Sequence, residues 1–209
     1  NVTVAVSDSA GNVGSATVWV YVDTTSPDVT ISEPTDGSWI DSRTFNVSWT
    51  ATDNLGLNNY TLYVNGSAVA SSTISGTSVS IENTVSVATD GYYNITVVVY
   101  DKAGNFGYDT VFVYVDTEPP SVTIVSPENY TWFNELSFNV SWSATDNLGL
   151  ASYQILVNGS VVTSGSLSGT SVSRTDTVSV SSDGYYNVTV AVSDSAGNVG
   201  SATVWVYVD

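Results

Sequence analysis

Residues 1–23, NVTVAVSDSAGNVGSATVWVYVD, recur letter for letter at 187–209, and a looser copy, NITVVVYDKAGNFGYDTVFVYVD, fills 94–116. Asn1, Asn94 and Asn187 therefore stand 93 residues apart. In each copy apolar residues alternate with polar ones, as at Val188, Val190 and Val192, which puts the valines on one face of a strand. A D-x-A-G-N break then supplies the turn residues, and a second alternating run follows. The stretch reads as a hairpin, and its recurrence as an array of 93-residue units. Working outward, two full units occupy 24–116 (type A) and 117–209 (type B). Residues 1–23 are the C-terminal hairpin, the last two strands, of a preceding unit. Such a hairpin cannot bury its valines alone, so its missing strands are expected to precede residue 1 in the natural chain, with targeting and anchoring segments beyond.

The pattern is β throughout. Each unit opens on a linker, Asp23-Thr-Thr-Ser-Pro27 or Asp116-Thr-Glu-Pro-Pro120, in which proline fixes φ and stiffens the hinge. A first strand (Val29, Ile31; Val122, Ile124) leads to a loop carrying Trp39 or Trp132. In the second strand Phe45, Val47 and Trp49, like Phe138, Val140 and Trp142, share the core face, and Asn46 and Ser48 take the other. Asn65-Gly66 and Asn158-Gly159 predict tight hairpin turns, because both central positions of that turn need φ > 0. The Ser/Thr-rich stretches 67–89 and 160–182 are expected to hold two short strands each. Asp90-Gly-Tyr-Tyr93 and Asp183-Gly-Tyr-Tyr186 place a tyrosine just inside a late strand, as in a tyrosine corner. In the last strand Val111, Val113 and Val115 point inward.

Composition narrows the chemistry. The chain has no Cys, so disulfides, thiol redox chemistry and thiolate–metal binding are absent. It has no His, the commonest general base and transition-metal ligand. Serine is abundant without that base. Twenty acidic residues face three basic ones (Arg43, Lys102, Arg174), for a net charge of −17. Such a surface repels nucleic acid and anionic membranes and attracts cations or a basic partner. No apolar run reaches the ~20 residues of a membrane helix.

The ordered motifs Asp-Thr-x-x-Pro, Ala-Thr-Asp-Asn-x-Gly, x-Val-Asn-Gly, and Gly-x-Tyr running into Asp-x-Ala-Gly-Asn resemble the bacterial and archaeal immunoglobulin-like tandem repeats of cell-surface adhesins, surface-layer and filament proteins. The resemblance covers both full units and the partial one. It implies an all-β fold of tandem immunoglobulin-like β-sandwiches, about seven strands per repeat. The absent cysteine pair and the Trp on the second strand depart from antibody domains.

Three sets of candidate site residues follow. Sequons Asn-x-Ser/Thr occur at Asn1, Asn46, Asn59, Asn65, Asn94, Asn129, Asn139, Asn158 and Asn187; strand parity and turn position turn most of them to solvent, where a glycan can attach. The resemblance implies that a linker lies beside the Asp-Asn-Leu-Gly loop and the Asp-x-Ala-Gly-Asn turn of its unit, which gathers Asp23, Asp53 and Asp101 in one repeat and Asp116, Asp146 and Asp194 in the next. Clustered carboxylates suit Ca2+ at inter-repeat junctions; Asp and Asn in such loops also bond their own backbone. Finally, Trp19 with Tyr21, Phe112 with Tyr114, and Trp205 with Tyr207 fall on the outward parity of the last strand. They are expected to contact a neighbour or to be covered by the Trp39 or Trp132 segment.

The sequence thus predicts a non-enzymatic, N-glycosylated structural segment of an extracellular, cell-surface stalk, filament or surface layer. Its partners are expected to be neighbouring repeats of the same long chain, polymeric or laterally associated, and glycans. The alternatives are an adhesin repeat that binds carbohydrate or cells, and an accessory region of a secreted hydrolase.

Overall fold

Alternating apolar and polar residues put every regular element into strand, and the computed structural model, which describes residues 1–209, holds no helix. β1 (Val2–Ser7) and β2 (Val13–Val18) form a two-stranded sheet. The next eight strands are β3 (Asp28–Glu33), β4 (Ser38–Ile40), β5 (Thr44–Thr52), β6 (Leu57–Val64), β7 (Ser67–Thr73), β8 (Ser78–Ser86), β9 (Gly91–Asp101) and β10 (Phe106–Val115). The last eight are β11 (Ser121–Ser126), β12 (Thr131–Phe133), β13 (Ser137–Thr145), β14 (Leu150–Val157), β15 (Ser160–Ser166), β16 (Ser171–Ser179), β17 (Gly184–Asp194) and β18 (Val199–Val208). Every strand from β11 to β18 begins and ends 93 residues after its counterpart among β3 to β10.

Each set of eight makes a three-stranded sheet (β3-β5-β8; β11-β13-β16) and a five-stranded one (β4-β10-β9-β6-β7; β12-β18-β17-β14-β15). The sequence predicts about seven strands, and the eighth arises where the first strand splits. β11 pairs antiparallel with β13, and after Pro127 the chain changes sheets and β12 runs parallel to β18. Proline has no N–H to continue the first ladder, and Pro34 stands at the same place before β4. Trp39 and Trp132, expected in a loop, sit on this short extra strand. By contact density the chain divides into two compact units, residues 1–33, 48–82 and 96–110, and residues 34–47, 83–95 and 111–209.

The core of residues 121–208 follows the alternation. Val140, Trp142, Ile155, Val188, Val190, Val192 and Val206 are fully buried. Each such side chain contributes roughly 1.5–3 kcal/mol relative to exposure. One carboxylate is built into the edge of this core. Asp176 accepts the Trp142 indole N–H at 2.8 Å and the Tyr153 hydroxyl at 3.0 Å, and Arg174 reaches it at 3.4 Å. Asn83 is its counterpart 93 residues earlier. In residues 28–115 the same strand positions are buried, among them Val47, Trp49, Leu62, Ile95, Val97 and Val113.

Local chemistry fixes the connections. Asn65 and Gly66, and Asn158 and Gly159, all have positive φ, as the hairpin reading requires. Tyr93 donates to the Thr89 carbonyl at 2.6 Å and Tyr186 to the Ser182 carbonyl at 2.7 Å, forming the two tyrosine corners. The linker lies so close to the last strand that a Cβ on Gly200 would meet the Pro120 carbonyl oxygen at 1.7 Å; on Gly107 it would meet that of Pro27 at 1.9 Å. In the β1–β2 hairpin, by contrast, Val2, Val4, Val6, Val13 and Val18 are all exposed.

Two outcomes follow. Gly200→Ala forces linker and strand apart, so chemical denaturation should show a loss of roughly 1–3 kcal/mol, the usual range for overpacking. Asp176→Ala leaves two buried donors without an acceptor and should cost about 2–4 kcal/mol in the same assay, with a change in tryptophan fluorescence from Trp142.

Candidate functional site

The D-x-A-G-N turns are held by their aspartates. Oδ1 of Asp101 accepts the amides of Ala103, Gly104 and Asn105 at 2.6–2.8 Å, and Oδ2 accepts the Asn105 side chain at 2.6 Å. Asp194 does the same for Gly197, Asn198 and the Asn198 side chain. The asparagine then reaches the linker: Asn105 donates to the carbonyl of Asp23 at 3.2 Å, and Asn198 to that of Asp116 at 3.0 Å. The loop aspartates fold back similarly. Asp53 Oδ1 accepts Leu55 and Gly56 amides, and Asp146 Oδ1 accepts those of Leu148 and Gly149. Asp23 Oδ1 caps Thr25, and Asp116 Oδ1 caps Glu118.

These turns bring the six predicted aspartates into two triads, Asp23/Asp53/Asp101 and Asp116/Asp146/Asp194. In each, one carboxylate oxygen per residue lies within 4.8 Å of the others. Asp101, Asp116 and Asp194 are buried. The Oδ2 atoms of Asp53, Asp116 and Asp146 are buried and have no hydrogen-bond partner. Burial pushes the Asp116 carboxyl above the usual range; the Glu118 amide and Asn147 oppose this, and the charges of Asp146 and Asp194 add to it. Burial acts on Asp101 too, but the Asn105 side chain and the turn amides outweigh it and hold that carboxyl below the usual range.

The surroundings of the triads differ. The Lys102 ammonium lies 3.3 Å from where a Cβ on Gly56 would stand. Lys102, Tyr21, Asp23, Leu55 and Ala103 line an open cavity of about 540 Å3. At the corresponding Gly149 the neighbours are the Ser195 hydroxyl and the Trp39 ring, both at 3.4 Å.

The outward aromatics are covered from within. Trp39 stacks on Tyr114 at 4.5 Å, and Tyr92 stacks on Phe112 at 5.4 Å. Trp132 stacks on Tyr207 at 4.4 Å, and Tyr185 on Trp205 at 4.8 Å. Phe112, Tyr114, Trp205 and Tyr207 are consequently half-buried. Trp19 and Tyr21 have no such cover and are 77% and 89% exposed. The exposed faces now belong to Trp132, whose segment the sequence offered as a cover, and to Tyr92 and Tyr185, which the sequence reading did not single out. Trp132 is 66% exposed, Tyr92 52% and Tyr185 44%. Tyr92 and Tyr185 were legible as the residues of opposite parity to the corner tyrosines.

Of the sequons, Asn1, Asn46, Asn65, Asn129, Asn139 and Asn158 are exposed, whereas Asn59, Asn94 and Asn187 are half-buried. Several amide oxygens have structural duties. Asn46 and Asn139 accept the hydroxyls of Thr84 and Thr177 across the sheet, and Asn158 accepts the Asn187 amide. Asn129 accepts the Trp205 amide as its counterpart Asp36 accepts that of Phe112.

Asp90 anchors the start of the second linker. It accepts Arg43 at 2.8 Å, the Thr117 amide at 3.0 Å and the Thr117 hydroxyl at 3.1 Å. Arg43, and then the Thr117 contacts, hold its carboxyl below the usual range against burial. A carboxyl depressed by folding adds stability above its unfolded value of ~3.9, and that stability is lost as pH falls through the folded value. Asp90→Asn should therefore flatten the acid limb of a plot of unfolding midpoint against pH below about 4, leaving its shape above pH 6 unchanged.

Comparisons with known proteins agree with this architecture. Residues 27–97 match the family model described as Bacterial Ig domain. Chitinase A1 of Niallia circulans is 33% identical over 195 residues, covering 87% of this chain. Halomucin of Haloquadratum walsbyi is 32% identical over 151 residues, 72% of this chain. Chitinase Chi52 of Paenibacillus xylanexedens is 36% identical over 91 residues, 42% of this chain. The chain spans only 26%, 2% and 16% of the lengths of these three relatives. A solved structure of fibronectin(III)-like modules of Clostridium thermocellum CbhA shares the fold, with a TM-score of 0.50 at 20% identity over 87% of this chain and 94% of that one.

Proposed function

We propose that this chain, built of immunoglobulin-like domains of the bacterial type, is a non-catalytic spacer segment of an extracellular protein, holding other parts of that protein at a distance. The observation that carries this is the strand-for-strand recurrence at 93 residues, joined by short linkers that pack on the last strand. In such arrays stability is a sum of unit terms and neighbour contacts, which suits a spacer of adjustable length. The match to Chitinase A1 extends over 195 residues, the length of two repeats, so what is shared is a repeated stretch. That supports an accessory region of a secreted hydrolase; the 93-residue recurrence suits a stalk or surface layer as well. Solvent-facing sequons such as Asn46, Asn65 and Asn139 are the sites where glycan would attach.

A second reading has its own observation. The exposed rings of Trp132, Tyr185 and Tyr92 present flat apolar faces of the kind that stack on sugar rings, which favours a carbohydrate-binding repeat.

One experiment separates the two. The full chain is incubated with insoluble chitin and cellulose, and both retention and release of soluble sugar are measured. The spacer reading expects neither. Retention that disappears in Trp132→Ala would establish the second reading, and sugar release would refute both. Intact mass of the natively produced protein tests the glycans separately: added mass in hexose-sized steps is expected, and the bare polypeptide mass would remove glycosylation from the account.

A further inference from the structure

We propose that Asp116, Asp146 and Asp194 bind a divalent cation of the hard, oxygen-seeking class, best fitted by Ca2+, and that Asp23, Asp53 and Asp101 bind the same class more weakly. Distance comes first. Ca2+ sits about 2.3–2.6 Å from its oxygens, so two ligands on opposite sides of one ion stand about 4.6–5.2 Å apart. The three oxygens of each triad lie within 4.8 Å of one another, inside the span that one ion can bridge. Mg2+, at about 2.0–2.1 Å, demands near-ideal octahedral geometry and keeps several of its waters, so a cluster of buried protein carboxylates suits it less well.

Unpartnered oxygens come second, and they point to a ligand independently of the clustering. Asp116 is fully buried, and its Oδ2 has no hydrogen-bond partner; Oδ2 of Asp146 is likewise buried and unpartnered. Buried polar atoms in folded proteins are nearly always satisfied. The division of labour within each carboxylate is consistent. Oδ1 of Asp146 holds its own loop and Oδ1 of Asp116 its own linker, and neither Oδ2 has a partner within hydrogen-bond distance, although the Asn147 side chain also approaches the Asp116 carboxyl. Asp194 is oriented by the Asn198 amide, which also fixes the Asp116 backbone. Ligands held by secondary contacts in this way are prepared for an ion.

The two triads differ by one charge. Lys102 brings an ammonium to the loop glycine of the first, where the second has the neutral Ser195. A positive charge at the rim disfavours a second cation. The second triad has no such neighbour and takes the ion more tightly.

The test uses the whole chain, stripped with EGTA and titrated with CaCl2 by calorimetry, with unfolding midpoints recorded alongside. Two sites are expected, the tighter one lost in Asp146→Asn and the weaker one lost in Asp53→Asn. Lys102→Ser should tighten the weaker site severalfold. Ca2+ at about ten times its dissociation constant should raise the midpoint by on the order of 5–10 °C. Tb3+ should give luminescence excited through Trp39, whose ring lies against Gly149. In EGTA, Asp146→Asn should be at least as stable as the parent, because a like charge has been removed; in Ca2+ it should be less stable. Asp116→Asn serves as a second variant with the same expectation. A parent midpoint unmoved by Ca2+, or variants displaced equally with and without it, would overturn the proposal and leave the aspartates as loop-fixing residues.

Discussion

Much of this molecule hangs on one carboxylate per repeat, that of the D-x-A-G-N turn. Asp194 collects the turn amides on one oxygen and the Asn198 amide on the other. Asn198 then donates to the linker carbonyl of Asp116. A turn that is usually mobile thereby becomes the clasp between the final hairpin and the chain entering the domain. The same clasp exists at Asp101, Asn105 and Asp23. Gly200 and Gly107 extend it, because the linker carbonyl occupies the space any side chain there would need. The cost of the arrangement is a concentration of acid: fastening the linker draws its own aspartate beside two others.

The fold was legible because its determinants are local and periodic. Alternating valines placed the core faces, Asn-Gly placed the hairpins, and the tyrosine just inside each late strand placed the corners. The extra strand was hidden because Ser38–Ile40 is too short to show alternation, and only its parallel pairing with β10 makes it a strand. Asp176 escaped notice for a different reason. On a Ser/Thr-rich strand it looks like one more surface acid, and its role depends on Trp142 and Tyr153, distant in sequence. The aspartate triads were legible from the expected proximity of linker and loops. That Oδ2 of Asp116 and Asp146 lacks a partner was not, since only the assembled structure shows which oxygens the backbone consumes.

The outward aromatics show how a repeat reuses parity. Phe112, Tyr114, Trp205 and Tyr207 alternate with core valines and fall on the wet side of the strand, yet stacking by Trp39, Tyr92, Trp132 and Tyr185 half-buries them. The apolar surface is thus moved one layer outward instead of being removed. Trp39 is partly sheltered beside Gly149, whereas its counterpart Trp132 is 66% exposed.

The central claim is that Asp194 and Asp101 turn a hairpin loop into a rigid clasp. Native-state hydrogen exchange at the amides of Gly197 and Asn198, and of Gly104 and Asn105, tests it most directly. The account predicts protection comparable to that of the flanking strands β17 and β18, and β9 and β10, because each of these amides donates to a buried carboxylate. Exchange at the rate of an open loop would contradict it.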